Sequence, residues 1–213
     1  MLDANCAPRT QDALKKMLTL SGDVYSLDAA RKGGGGSASV SKSYEKYEAA
    51  LKVSQQHKDQ SFDVSTMHRK NAKIHLSFAS FCDTQIRALQ SVGGMQKDGM
   101  SEEDYVFKYV ENLLKAIETG STRAQENFPR TLELLVKMQG SKDSKKIWRK
   151  WKEGCLLLPA STLIRWLPQL ISLFKSCPDS SCLDDVAQVL MLVHNDYPQA
   201  MYMAVRVMKN EIP

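Results

Sequence analysis

Apolar residues recur at every third or fourth position along most of this 213-residue sequence, whereas alternating runs of β-branched residues are nearly absent. That spacing matches the 3.6-residue period of an amphipathic helix, so the sequence predicts an all-α protein. One strong stripe lies between residues 74 and 86 and consists of Ile74, Phe78, Phe81, Cys82 and Ile86. A second lies between residues 106 and 117 and consists of Val106, Tyr109, Val110, Leu113, Leu114 and Ile117.

Glycine and proline divide these patterns into separate predicted helices. Gly22, after Ser21, predicts the end of a short first helix, and Gly120 and Gly140 are expected just past two later helices in the left-handed conformation. Pro129 is expected inside its helix or at a point where the helix restarts, and Pro168 is expected to kink its own helix. The predicted helices span residues 11–20, 40–56, 64–89, 101–119, 123–138, 142–157, 161–175, 183–195 and 199–209.

From residue 101 onward the predicted helices are joined by connections of only a few residues, which is typical of antiparallel hairpins. The hairpin recurs about every 35 to 40 residues, so we predict a solenoid of degenerate tetratricopeptide- or HEAT-like repeats. The last predicted helix does not resemble a polar capping repeat, since it carries Met201, Met203, Val205, Val207 and Met208.

Four consecutive glycines occupy residues 33–36. A phosphate-binding loop of the P-loop type would need a preceding strand and a following Lys-Ser or Lys-Thr pair, and neither is present. We therefore predict a flexible linker or surface loop over residues 32–39.

Composition narrows the class of protein. With 43% hydrophobic and 25% charged residues, the chain resembles an ordinary soluble globular protein. The net charge of +5 is too small for a dedicated nucleic-acid binder. No apolar run approaches the 18 residues or more that a membrane span requires, and no signal-peptide pattern opens the sequence. Five cysteines without a CxxC pair indicate reduced thiols in an intracellular protein.

The most distinctive local feature is a basic segment that is interrupted by tryptophans. Its basic members are Lys142, Lys145, Lys146, Arg149, Lys150 and Lys152. On a helix, Ile147, Trp148, Trp151 and Cys155 share one face, and the basic residues spread over the other. One interpretation is an anion-binding face for nucleic acid or phospholipid. The interpretation we favour is a packed repeat helix whose tryptophans enter the core and whose lysines are solvated.

Other groups that could carry chemistry have simpler structural explanations. His75 and Cys82 lie seven residues apart on one helical face, and a metal site would need more ligands. Cys177 and Cys182, with His194 downstream, leave open a zinc site, a redox pair or plain structural cysteines, and we favour the last. Arg165, if it is buried, is expected to pair with Asp184 or Asp185. We predict no catalytic residue, no cofactor and no metal ligand.

Six segments, taken in order and spacing, carry a family resemblance. They are FASFCD at 78–83, YVENLLKAI at 109–117, FPRTLEL at 128–134, LP at 158–159, RWLPQL at 165–170 and NDYPQA at 195–200. This series resembles the C-terminal part of the FAT domain of the phosphatidylinositol-3-kinase-related kinases. The likeness is greatest to the branch that repairs DNA double-strand breaks by end joining. Apart from the resemblance, five aromatic residues are predicted to be packing anchors between helices: Phe128, Trp148, Trp151, Trp166 and Tyr197.

The resemblance also suggests how the chain is divided. Residues 64–200 correspond to FAT-like helical repeats, and residues 1–63 match the family only loosely. Residues 201–213 depart from the family, which continues toward its kinase domain through a different segment. From this departure we expect a fragment, a truncated product or a gene whose predicted reading frame ends too early.

What the resemblance implies is a helical scaffold that braces and regulates the kinase domain of a nuclear DNA-repair serine/threonine kinase. No residue here matches the ATP, metal or catalytic motifs of that family, so we expect no enzymatic activity of this chain. Its expected partners are the kinase domain and the neighbouring helical repeats of the parent protein, without direct contact to nucleic acid or membrane. The alternative is an independent helical-repeat adaptor for protein partners, or a truncated product without a kinase domain.

Overall fold

In a computed structural model, the fold is described for residues 8–31, 37–55, 64–91, 100–177 and 179–210. This part of the chain is about 89% helical and contains no strand, which confirms the all-α prediction. The glycine run at 33–36 and the loop expected at 92–99 lie outside the described residues.

Eleven α-helices and one short 3₁₀ segment make up this described part. The first six are α1 (Pro8–Arg31), α2 (Ser37–Gln55), α3 (Val64–Ser91), α4 (Glu102–Glu118), α5 (Thr122–Glu126) and α6 (Phe128–Lys137). The others are α7 (Ser144–Leu156), α8 (Ala160–Leu163), the 3₁₀ segment (Ile164–Trp166), α9 (Leu167–Lys175), α10 (Ser180–Asp196) and α11 (Pro198–Asn210).

The first helix is more than twice as long as predicted, and the expected stop at Gly22 is wrong. Gly22 lies inside α1, where it faces α2 instead of ending the helix. A Cβ atom at this position would lie 2.9 Å from the Cε1 and Cζ atoms of Tyr47. The glycine therefore permits a close contact between two helices, and local sequence reasoning mistook that role for helix termination.

Two of the predicted helices are each divided into shorter helices, and in both cases a proline lies just after the break. Residues 123–138 form α5 and α6, with Asn127 between them and Pro129 in the first turn of α6. Residues 161–175 form α8, the 3₁₀ segment and α9, with Pro168 in the first turn of α9. Proline suits the first turn of a helix because its missing N–H would have no partner there. Pro168 thus begins a helix instead of kinking one.

The other predicted ends and beginnings agree with the structure to within a few residues. Gly120 and Gly140 have φ angles of 91° and 84°, which confirms the left-handed positions expected after α4 and α6. Ser101 and Asp104 form a reciprocal capping box at the start of α4. The side chain of Ser101 accepts from the Asp104 N–H, and the Asp104 carboxylate accepts from the Ser101 N–H.

Consecutive long helices pack in antiparallel pairs. Between α1 and α2, Ser39 Oγ donates to Asp28 at 2.7 Å and Ser43 Oγ donates to the Gly22 carbonyl at 2.8 Å. Between α3 and α4, His75 Nδ1 lies 2.8 Å from Asn112 Oδ1, while Gln90 at the other end contacts Glu102. The further stacking of such pairs into a solenoid stays a prediction.

An aromatic cluster joins these pairs. Tyr47 stacks on Phe78 at a centroid distance of 5.3 Å, and Phe81 contacts both Tyr47 and Tyr105. The five apolar residues predicted for the inner face of residues 74–86 are all buried. The core then continues through α4 to α7, α9 and α10. No single described helix is long and apolar enough to cross a membrane.

The cysteines of the described part are free thiols. Burial raises the pKa of Cys177 to about 11 and that of Cys182 to about 12, which disfavours their thiolate forms at neutral pH. Among the described residues, no group of three or more His, Cys, Asp or Glu side chains is placed to hold a metal ion.

We expect iodoacetamide to label Cys177 and Cys182 slowly at pH 8. The thiolate is the reactive form, and at that pH roughly one Cys177 thiol in a thousand is ionised. Peptide mass spectrometry after timed alkylation measures this, with the urea-unfolded chain as the control in which both sites react quickly. Equally fast labelling in the folded and unfolded chains would contradict the burial of these thiols.

Candidate functional site

Helix α7 lies between α4 and α10. The spacing of its apolar residues explains how it packs there. Ile147, Trp148, Trp151 and Cys155 fall on one side of a helix, and each is 0–1% exposed. The two indole rings meet edge to face, with their centroids 6.1 Å apart. The tryptophans of the basic segment therefore belong to the core.

Close packing against α4 also depends on Gly154. A Cβ atom at this position would lie 2.5 Å from Leu114 Cδ1 and 3.0 Å from Leu114 Cβ. Leu114 is itself buried, so its side chain has little room to move away. The glycine sets how near α7 comes to α4.

Two lysines of the basic segment form ion pairs with the helices on either side of α7. Lys150 Nζ lies 2.9 Å from Glu111 Oε1 on α4. Lys152 Nζ lies 2.7 Å from Asp185 Oδ1 on α10. These pairs cross from α7 to both neighbours, so they fix its rotation as well as its distance.

The pKa of Glu111 reflects its contact with Lys150. Burial alone would raise its pKa, but the hydrogen bond from Lys150 and the charge of Lys108 outweigh burial and hold the pKa below the ordinary value. Glu111 is therefore ionised at neutral pH. Its carboxylate is therefore a stable partner for Lys108 and Lys150.

The remaining basic residues are divided between packing and solvent. Lys146 Nζ lies 4.7 Å from the ring centroid of Phe107, which is within the range of a cation–π contact. Lys142, Lys145, Lys146 and Arg149 are exposed, whereas Lys150 and Lys152 are half-buried. The structure thus leaves four residues of the predicted anion-binding face open to solvent and uses Lys150 and Lys152 in ion pairs with α4 and α10.

The other predicted anchors lie nearby. Phe128 is 1% exposed and stacks on Trp166 at a centroid distance of 6.4 Å, while Trp166 and Tyr197 are half-buried against the core. The pairing expected for a buried Arg165 does not apply, because Arg165 is exposed. Asp185 pairs with Lys152 instead, and the exposed Arg165 lies over Trp166, with 5.7 Å between the guanidinium carbon and the ring centroid.

An ion-pair network that sequence reasoning missed connects α3 with α6. Arg130 Nε lies 2.9 Å from Asp83 Oδ1, a residue 47 positions earlier. Arg130 also contacts Glu133 at 2.6 Å, and Asp83 contacts Arg87 at 2.8 Å. Both central residues stand in the FASFCD and FPRTLEL segments, but no local pattern indicated that they meet. Their side chains are only 15% and 18% exposed, so this link is better shielded than a surface pair.

We expect Arg130→Met to lower the free energy of unfolding by about 1–3 kcal/mol, because Asp83 loses a charged hydrogen-bond donor in a partly buried place. Urea denaturation followed by circular dichroism measures the change. Lys137→Met is the matched control, since its pair with Glu133 is exposed and worth about 0–1 kcal/mol. Equal effects of the two substitutions would contradict a special role for Arg130.

The same network makes a pH-dependent prediction. Hydrogen bonds from Arg130 and then Lys137 lower the pKa of Glu133 from 4.5 to about 2. A lowered folded-state pKa contributes stability above the unfolded value, and that contribution is lost as the pH falls through the folded value. The stability difference between Glu133→Gln and the unmodified chain should therefore be constant at neutral pH and shrink between pH 4.5 and about 2. A difference that does not change with pH would contradict this assignment.

These contacts together hold α3, α4, α6, α7 and α10 at fixed separations. Four of the ion pairs in the described part of the chain join different helices, and the described thiols are buried or have raised pKa values.

Comparison with known proteins points to one kind of protein. The chain is similar to catalytic subunits of DNA-dependent protein kinase. It is 26% identical to the mouse (Mus musculus) protein over 131 residues, which cover 62% of the chain. It is 23% identical to the Xenopus laevis protein over 152 residues (71% of the chain) and 25% identical to the Dictyostelium discoideum protein over 139 residues (65% of the chain).

These matches concern a small part of very long relatives. The chain spans about 3% of the length of each. No protein-family model matches the chain. No solved structure matches it either. The similarity supports a relationship to a DNA-dependent protein kinase and agrees with the broader resemblance seen in the sequence.

Proposed function

We propose that this chain is a non-catalytic helical scaffold segment of a DNA-repair serine/threonine kinase of the end-joining type. The observation that carries the proposal is the similarity to DNA-dependent protein kinase catalytic subunits from three organisms. The ordered motifs between residues 78 and 200 support an assignment to the C-terminal part of a FAT domain.

The packing supports a bracing role. Helix α7 is held by buried tryptophans and by ion pairs to both neighbours, and α3 is tied to α6 through Arg130. A segment built in this way transmits displacement instead of absorbing it, because packed interiors are only slightly compressible. In the proposed setting it supports the kinase domain and adjoins neighbouring helical repeats in the nucleus.

The test is co-purification of this chain with a kinase-domain fragment from the same organism. We expect a stable complex, and Arg130→Met should weaken it only as far as it destabilises the chain. The size of the native polypeptide that carries the segment is a second test, by immunoblot of a cell extract. A very large band supports the proposal. A failure to bind the kinase domain together with a band at the mass of the 213-residue chain would refute it.

A second candidate is an independent adaptor or a truncated, kinase-free product. It is favoured by the exposed apolar side chains of α11, where Tyr202, Met203, Val205 and Val207 are 44–64% exposed. Such a patch is typical of a surface that contacts another protein. A small native band with retained partner binding would support this candidate.

Direct nucleic-acid binding would have to use the exposed basic residues of α7 and the turn before it, which are Lys142, Lys145, Lys146 and Arg149. Binding of that kind weakens steeply as salt rises, because phosphate contacts release counterions. We expect a filter-binding titration to show no such salt-dependent affinity. A steep salt dependence that is lost on changing these four residues to glutamine would overturn that expectation.

A further inference from the structure

Helix α1 packs a polar side against α2 and exposes an apolar side, which is the reverse of the usual arrangement. The face that packs against α2 carries Gln11, Lys15 and Thr19, which are 5–7% exposed, together with Gly22 and Ala29. These residues are polar or small, and they allow a close approach that Ser43 and Tyr47 on α2 complete with hydrogen bonds to α1. This contact therefore combines polar and small residues with the buried ring of Tyr47.

The opposite face of α1 is apolar and exposed. Met17, Leu20, Val24 and Leu27 are 50–63% exposed, and Ala13 continues the stripe toward the N-terminus. Their spacing alternates between four and three residues. A broad apolar stripe is typical of a helix that faces a globular core, whereas a strict four–three stripe is the seam of a coiled coil.

The surface along this stripe has hollows of the kind into which the side chains of a partner helix insert. One shallow hollow is lined by Ala13, Met17, Leu20 and Val24, and a second one, which follows along the helix, is lined by Val24 and Leu27 with their neighbours. In a coiled coil each seam residue of one helix inserts into a hole between four residues of the other. The two hollows lie where such side chains would enter.

We propose that this seam is a self-association surface, on which α1 of a second copy lies antiparallel to α1 of the first. The seam consists of Ala13, Met17, Leu20, Val24 and Leu27. Identical partners commonly associate through a two-fold axis, in which the same patch is used on both sides. The inference does not depend on the proposed scaffold function.

The charges beside the seam favour a second copy in the antiparallel direction. Lys16 and Asp23 flank it on one side, and Asp28 flanks it on the other. A parallel pair would place Asp23 against Asp28 of the second copy twice, which is repulsive. An antiparallel pair with Met17 opposite Leu20 of the second copy places Lys16 against Asp23 of the second copy twice, which is attractive.

Asp23 is prepared for that contact. Its Oδ1 accepts a hydrogen bond from the Tyr47 hydroxyl at 2.6 Å, which holds the carboxylate at the edge of the α1–α2 pair. The residue is only half-buried, so it remains accessible from outside. A carboxylate fixed in this way loses little further freedom when a lysine approaches.

The expected affinity is modest. A single helical seam buries less than the ~1,200–2,000 Å² that stable protein interfaces bury, so we expect a dissociation constant in the micromolar range. Sedimentation equilibrium of the whole chain over micromolar to submillimolar concentrations measures it. A chain that stays monomeric throughout that range overturns the proposal.

Val24→Lys should raise the dissociation constant by roughly tenfold or more, because it places an unpaired charge in the seam. Since Val24 is 63% exposed, the melting temperature of the monomer should hardly change. Met203→Lys on α11 is the matched control, being 56% exposed and chemically the same kind of change. A dimer that survives Val24→Lys, or one that dissociates with Met203→Lys instead, overturns the proposal.

The direction of the pairing has its own test. Lys16→Glu should weaken the dimer, since it places a second acid opposite Asp23 of the second copy. Lys142→Glu, an exposed change of the same charge away from the seam, should leave the dissociation constant unchanged. If Lys16→Glu has no more effect than Lys142→Glu, the antiparallel register is wrong.

Discussion

Trp151→Ala is expected to lower the free energy of unfolding by about 3–5 kcal/mol, the range typical of truncating a buried tryptophan. The side chain is 0% exposed and contacts Trp148 edge to face in the layer between α4 and α10. Truncation would leave a large cavity in a layer that several helices share. Urea denaturation followed by circular dichroism measures the loss, with Arg149→Ala on the exposed side of the same helix as the control.

Trp151→Phe separates packing from hydrogen bonding. Among the described residues, the indole Nε1 atoms of Trp148, Trp151 and Trp166 are buried without an acceptor. A buried donor without a partner costs free energy, so replacing the indole by phenyl removes that penalty while it keeps most of the apolar volume. We therefore expect Trp151→Phe to cost much less than Trp151→Ala. Equal losses would show that the indole N–H has a partner, such as an ordered water.

Gly154→Ala is expected to destabilise the chain by about 1–3 kcal/mol, as over-packing in a core typically does. Alanine gains about 0.8–1 kcal/mol over glycine in an unconstrained helix, but here its Cβ would meet Leu114 Cδ1 at 2.5 Å. The clash outweighs the gain because Leu114 is buried on α4. Thermal and urea denaturation measure the net effect.

A double-mutant cycle makes this second prediction specific. In a Leu114→Ala background the cavity accepts the new methyl group, so Gly154→Ala should become less harmful, with a coupling of about 0.5–3 kcal/mol. Glu153→Ala, one position earlier and exposed, is the control for helix propensity alone. A stabilising effect of Gly154→Ala in the unmodified chain would mean that α4 and α7 are farther apart than described.

Periodicity made the helices predictable, because a helix buries one side at a fixed spacing wherever its partner lies. The stripe from Ile74 to Ile86 and the tryptophan side of α7 follow directly from that rule. The starts and stops were predictable where a residue acts on its own backbone, as Gly120 and Gly140 do at positive φ.

The failures occurred where a residue acts on a distant part of the chain. Gly22 faces Tyr47, and Arg130 pairs with Asp83. No residue close to Gly22 or Arg130 in the sequence indicates either partner. The same reason explains Asp185, which pairs with Lys152 instead of the expected Arg165. The residues of the candidate site were therefore predictable, but the partners in its ion pairs were not.

The polar contact between α1 and α2 has a thermodynamic consequence. Exposing apolar surface raises the heat capacity of unfolding, whereas exposing polar surface lowers it. Separating the face with Gln11, Lys15 and Thr19 from α2 should therefore change the heat capacity less than opening the tryptophan layer. On cooling, hydrophobic stabilisation weakens around Trp148 and Trp151, while the polar part of the α1–α2 contact loses less of its strength. Cold should thus weaken the tryptophan layer more than it weakens the polar part of the N-terminal helix pair.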